Sequence, residues 1–172
     1  MKIYVASSWR NLLQPTVVAA LRKDGHDVYD FKNPPNKSGF NWKEIDPDWQ
    51  AWKPEQYIQA LEHPLSEEGF ESDMSALERA EVVVLVLPCG ASAHAEAGWA
   101  AGAGKDVIVL IPDAPLADVY DTKASKRAVD RVAWEPELMY KMFSTIETTV
   151  EDVVDEVRAF AARDDLAPRT NV

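Results

Sequence analysis

The chain carries a single cysteine, Cys89, in 172 residues. One thiol excludes an internal disulfide and the multi-cysteine zinc sites. Histidine is almost as scarce: His26, His63 and His94 are the full set, and their spacing matches no zinc site, so a required metal is not expected. Positive charge is also in deficit. Eighteen Lys and Arg against 29 Asp and Glu leave a net charge of −11, with a sequence pI near 4.7. That balance argues against a nucleic-acid partner or an anionic membrane surface, although a local basic pocket could still hold one phosphate. No early hydrophobic segment reads as a signal peptide. No run approaches the roughly 18 apolar residues of a membrane span, so a cytoplasmic protein is expected.

What is present suits one soluble domain. Apolar residues make up 47% of the chain and charged residues 27%, and the length suffices to bury a real core. Lys2 to Ala6 reads as an opening strand, Leu12 to Lys23 as a helix closed by Asp24-Gly25, and His26 to Phe31 as a second strand. Asn33 to Lys53 carries prolines and three tryptophans, Trp42, Trp49 and Trp52, and reads as a long structured loop. Pro54 suits the first turn of a short helix to Glu62. A capped helix is expected over Ser72 to Arg79, then the most hydrophobic strand, Glu81 to Leu87. A helix beginning near Ser92 and a strand from Asp106 to Ile111 follow. Pro112 to Trp134 is a polar excursion, Glu135 to Phe143 a short helix and Thr145 to Glu147 a short edge strand. Thr149 with Asp152 starts a last helix ending near Arg163. Alternating strands and helices predict an α/β fold: a doubly wound, mainly parallel sheet of about five strands flanked by helices, flavodoxin- or Rossmann-like. Residues 1–163 form the domain, with a frayed tail from Asp164.

Glu96 is the most informative residue. It falls just past the carboxyl end of the hydrophobic strand, where open α/β sheets bind ligands. Placed in the first turn of the helix, it would be favoured as an anion by the helix amides; a solvating surface glutamate is the plainer reading. Asp73 is either a helix-start acid or its partner, one carboxylate acting as nucleophile and the other as general acid on a glycosidic bond. The first strand leads into Ser7-Ser8-Trp9-Arg10-Asn11, a turn suited to a phosphate or carboxylate, or else a cap with an exposed arginine. It lacks the glycines of a P-loop or dinucleotide fingerprint. Cys89 precedes a helix, but a phosphatase-type loop would need an arginine where Ala95 stands. His94 is a proton shuttle, a substrate contact or a structural residue. The tryptophans either stack on a base or cover a pocket, or they form a subunit interface or a satellite core beneath the loop.

These segments together resemble the nucleoside 2-deoxyribosyltransferase-like family, from Lys2 to about Phe143. Lys2-Ile3-Tyr4-Val5-Ala6 is similar to its opening strand, whose tyrosine contacts the catalytic carboxylate. Ser72-Asp73-Met74 is similar to the segment whose acid helps the base depart. Glu96-Ala97-Gly98-Trp99-Ala100 resembles its Glu-x-Gly-aromatic-Ala pattern, and Glu137-Leu138-Met139 a segment that reaches into the neighbouring subunit's site. The resemblance implies Glu96 as nucleophile, Asp73 as acid and Tyr4 as the group that tunes Glu96. Ser7, Ser8, Trp9, Arg10, His94 and Met139 would contact a nucleoside or nucleotide. It implies no cofactor, and a homo-oligomer with sites near subunit contacts. His94 stands where the family more often has glycine, and Glu137 replaces an amide or hydroxyl, so a non-catalytic nucleotide-binding module on the same fold is the competing reading.

Overall fold

The computed structural model describes residues 1–35, 38–121 and 137–166. Five strands form one sheet: β1 (Lys2–Ala6), β2 (Asp27–Tyr29), β3 (Val82–Val86), β4 (Asp106–Leu110) and β5 (Thr145–Glu147). Their order is β2-β1-β3-β4-β5, and every pairing is parallel. The helices are α1 (Gln14–Lys23), α2 (Pro54–Leu61), α3 (Pro64–Arg79), α4 (Ala91–Gly102), α5 (Leu116–Val119) and α6 (Val150–Leu166). Among the described residues no helix is long and apolar enough to cross a membrane.

The strands build the sheet because their residues suit burial on both faces. Ile3, Val5, Val82, Val84, Val86, Ile108 and Leu110 point to one side and pack with Val17 and Leu21 of α1 and Val153 and Val157 of α6. Tyr4, Ala6, Val83, Leu85, Val107 and Val109 point to the other, against Ala76 and Leu77 of α3 and Ala93, Ala97 and Ala100 of α4. A parallel sheet covered on both faces reads as continuous apolar runs, which is why Val82 to Val86 is apolar throughout. Each fully buried branched side chain contributes about 1.5–3 kcal/mol. The small residues of α4 let that helix lie close on β3 and β4.

Strand order reverses between β1 and β3, the kind of point outside whose carboxyl ends open α/β sheets commonly bind ligands. Asn11 fixes this end. It is 1% exposed. Its Oδ1 accepts from the Leu13 and Gln14 amides at 2.8 and 2.9 Å, and its Nδ2 donates to the carbonyls of Val86 and Pro88 at 3.3 and 3.2 Å. One side chain therefore caps α1 and ties the β1–α1 turn to the β3–α4 turn.

Several boundaries differ from the sequence expectations. The helix expected over Ser72–Arg79 begins eight residues earlier, at Pro64, with His63 Nδ1 accepting from the Leu65 amide at 3.2 Å. Ser66 and Gly69, both buried in its first turns, serve packing. The Ser66 hydroxyl donates to the Ala60 carbonyl at 2.6 Å, and a Cβ on Gly69 would lie 2.8 Å from Phe40 Cβ. Asp73 thus sits well inside α3, not at its start. The first helix begins at Gln14, after Asn11 forms an isolated bridge with Tyr120, and the second strand is trimmed to Asp27–Tyr29. The short helix expected from Glu135 is a 3-10 turn, Leu138–Met142. The last helix, started by Thr149 and Asp152, continues to Leu166 instead of ending at Arg163, so the tail does not begin at Asp164. Most of the Pro112–Trp134 excursion lies outside the described residues.

Candidate active site

The sheet brings Tyr4, Asp73 and Glu96 together from three elements. Tyr4 projects from β1 and is buried. Glu96 comes from α4, whose N-cap is Gly90, which places it in the second turn and not the first. The helix amides are spent there, so the expected stabilisation of its anion is absent. Burial dominates instead. Desolvation first, and the negative charge of Asp73 second, push Glu96 up to about 8, against a smaller opposing hydrogen bond from Tyr4. Near neutral pH this carboxyl therefore carries a proton. Burial, together with the charges of Glu96 and Asp73, raises the Tyr4 phenol far beyond its ordinary range, so it remains a neutral donor.

Tyr29 completes the arrangement. Its hydroxyl donates to Asp73 Oδ1 at 2.7 Å and lies 3.0 Å from Ser72 Oγ. Burial raises this phenol too. A cavity of about 560 Å³ adjoins the pair, lined by Tyr29 and Ser72 with Pro35, Glu68, Glu71 and Arg79.

The β1–α1 turn forms a polar wall at the same sheet end. Ser7 Oγ donates to the Val86 carbonyl at 2.8 Å, which spends it on the backbone. Ser8 Oγ accepts from the Arg10 amide at 3.2 Å and lies 3.3 Å from the Tyr120 hydroxyl. Arg10 is fixed through its backbone, its carbonyl accepting from the Asp121 amide at 2.9 Å, and among the described residues its guanidinium joins no ion pair. Trp9 is 45% exposed, its ring meeting Phe31 edge-on at 5.5 Å. A Cβ on Gly39 would fall 2.9 Å from that ring, so the glycine lets the loop brace the indole.

His94 lies in the first turn of α4, with both ring nitrogens engaged. Nδ1 is 2.9 Å from the Gly90 carbonyl and Nε2 is 2.8 Å from the Tyr140 hydroxyl. A carbonyl only accepts, so Nδ1 carries a hydrogen, and Nε2 pairs with the Tyr140 hydroxyl. Tyr140 is buried and stacks on His94 at 6.0 Å, with its phenol pushed up to about 12 by burial. His94 thereby anchors the 3-10 turn that bears Met139. Met139 itself is 62% exposed, flanked by exposed Leu138 and Met142. Cys89 is fully buried beside His94 Nδ1 at 3.5 Å, and burial pushes its thiol up to about 12, so it is no thiolate nucleophile.

The tryptophan loop folds on itself as a satellite core. Trp42 meets Phe40, Trp52 and Tyr57 edge-on at 4.9, 5.6 and 5.6 Å. Among the described residues no three His, Cys, Asp or Glu side chains gather to hold a metal ion.

Sequence reading missed Tyr29, Asn11 and Tyr140. Their only signals were ordinary: a tyrosine in a predicted strand, an asparagine before a helix and an aromatic in a short helix.

No protein-family model matches the chain, and no curated protein is similar enough to count as a relative. Among solved structures it is similar to a conserved protein from Enterococcus faecalis V583. The two share 18% identity, covering 93% of this chain and 98% of that one, with a TM-score of 0.53. At that identity the likeness shows a shared fold and nothing of function.

Proposed function

We propose that the chain is an enzyme that cleaves or transfers the N-glycosidic bond of a nucleoside or nucleoside 5′-monophosphate. The observation that carries this is the pair of carboxylates at the switch-point crevice. Each has its own tyrosine hydroxyl, and Glu96 is driven to hold a proton beside Asp73. Two carboxyl groups with one proton between them supply what glycosidic chemistry requires, a nucleophile and an acid.

In the reacting form Glu96 is ionised and Asp73 bears the shared proton. Glu96 attacks the anomeric carbon of the sugar. The C–N bond breaks, its electron pair leaves on the base nitrogen, and Asp73 delivers its proton to the base. The sugar is left as an ester of Glu96. A second base or a water attacks the same carbon, the ester bond breaks, and Asp73 takes the proton the incoming group gives up. Tyr4 steadies the Glu96 carboxylate as charge forms and disperses. Trp9 gives a flat surface for the base, and Arg10 a cation for a 5′-phosphate. The exposed Leu138, Met139 and Met142 suit a homo-oligomer in which this turn meets a neighbouring site. The acidic chain works in the cytoplasm, without a cofactor.

A non-catalytic nucleotide-binding module has one observation in its favour: a protonated Glu96 is a poor nucleophile. The test is to incubate the protein with deoxynucleosides, ribonucleosides and their 5′-monophosphates, with and without an acceptor base. Chromatography follows free base and exchanged nucleoside. Release or exchange that Glu96→Ala abolishes supports the enzyme. Binding without turnover across the panel replaces it with the module.

A further inference from the structure

We propose that Tyr29 is a positioning residue that decides which of the two carboxylates carries their shared proton. Its hydroxyl has one hydrogen, and the 2.7 Å contact to Asp73 Oδ1 places that hydrogen on the carboxylate. The 3.0 Å contact to Ser72 must then run the other way, with the serine donating to the phenol oxygen. Ser72, Tyr29 and Asp73 form a directed chain in which each bond polarises the next. A hydrogen bond donated into a carboxylate favours its charged form. That donation favours the ionised form of Asp73, and its charge, acting on a Glu96 already disfavoured as an anion by desolvation, sends the proton there.

The surrounding groups leave this bias in place. Facing Glu96 are Tyr4 from β1, Asp73 from α3 and the neutral Cys89 thiol from the β3–α4 turn. Facing Tyr29 are Tyr4, Ser72, Asp73 and, across the cavity it lines, Glu68, Glu71 and Arg79, whose guanidinium is engaged with Ser75. The stack of Tyr29 on Tyr4, 5.4 Å between centroids and 16° between planes, fixes the direction of the hydroxyl. The resting tautomer is thus the unreactive one of the pair, and substrate binding must move the proton to Asp73. That catalytic consequence rests on the glycosidic reading; the proton order itself does not.

The test is a carboxyl titration by ¹³C NMR on protein labelled at Asp and Glu side chains, with Asp73→Asn and Glu96→Gln to assign the two signals. Asp73 is expected to titrate below Glu96 in the wild type. In Tyr29→Phe its midpoint should rise by about one pH unit, and Ser72→Ala should move it the same way by less. Where base release is measurable, the acid limb of its pH profile should move with the Asp73 midpoint, which a merely structural tyrosine would not cause. An Asp73 midpoint unmoved in Tyr29→Phe, or a Glu96 that titrates first, overturns the inference. If Tyr29→Phe does not fold, Ser72→Ala decides. A moved midpoint with no turnover on any substrate sinks the glycosidic reading alone.

Discussion

Tyr4 and Tyr29 are register partners on neighbouring parallel strands, their rings stacked, yet their hydroxyls serve different carboxylates: Glu96 for Tyr4 and Asp73 for Tyr29. Parallel pairing puts both rings on one face of the sheet, and stacking couples their positions. The carboxylates come from two helices packed on that face. The sheet thus sets the spacing of two acids that no single element could fix, at the point where strand order reverses.

Glu96→Gln should stabilise the protein at alkaline pH. The folded-state pKa is raised from the ordinary 4.5 to about 8, so the protonated form is the one the fold prefers. Its contribution is fully present below about 4.5 and is lost as pH rises through about 8. Glutamine carries no charge to desolvate and still accepts from Tyr4. Thermal unfolding across pH should show the variant near wild type at pH 4.5. It should gain on the order of 2 kcal/mol by pH 9. A constant offset at every pH would show that Glu96 is not held protonated.

Catalysis that needs one ionised and one protonated carboxyl should decline above about pH 8, where the pair loses its last proton. The alkaline limb of kcat/KM for an ordinary nucleoside checks this. A nucleoside of an N7-methylated purine departs without an added proton. Its rate should instead rise through the same pH and level off, following ionised Glu96. Identical profiles for the two substrates would remove Asp73 as the acid.

The sheet was legible because each strand of a covered parallel sheet is apolar throughout, and Val82 to Leu87 announces itself. Tyr4, Asp73 and Glu96, which only the family resemblance linked, lie close enough to act on one another. The start of α3 was hidden because Ser66 and Gly69 carry the local signature of a break, and only contacts with Ala60 and Phe40 explain them. The titration of Glu96 was misread for a related reason. The helix begins at Ala91, one residue before Ser92, which carries Glu96 past its first turn, and its burial beside Tyr4 and Asp73 is a tertiary contact that no local pattern displays. Tyr29 could not be found from sequence at all, since its role depends on strand register.

Asn11→Ala should cost roughly 2–3 kcal/mol. It removes the side-chain cap of α1, strips the buried Pro88 carbonyl of this donor and leaves the Val86 carbonyl with Ser7 Oγ in place of two side-chain donors. Urea unfolding should show a lower midpoint with an unchanged slope. Because both switch-point turns depend on this side chain, KM should rise even at temperatures where the variant is fully folded. Stability loss with an unaltered KM would confine Asn11 to the cap.

Gly39→Ala tests whether Trp9 belongs to the site. The new Cβ would lie 1.9 Å from the Phe31 carbonyl oxygen and 2.9 Å from the Trp9 ring. The first contact is with backbone, which yields only if the loop moves, so a loss of about 1–3 kcal/mol is expected. The indole would move with the loop, since Gly39 and Phe31 brace it. If Trp9 receives the base, nucleoside affinity should fall in parallel with Trp9→Ala, while Glu96 keeps its titration near pH 8. Calorimetric binding and the alkaline titration separate the two effects. Unchanged affinity in both variants would place the base elsewhere in the crevice, and a displaced Glu96 midpoint would mean that the loop and the carboxylate pair move as one unit.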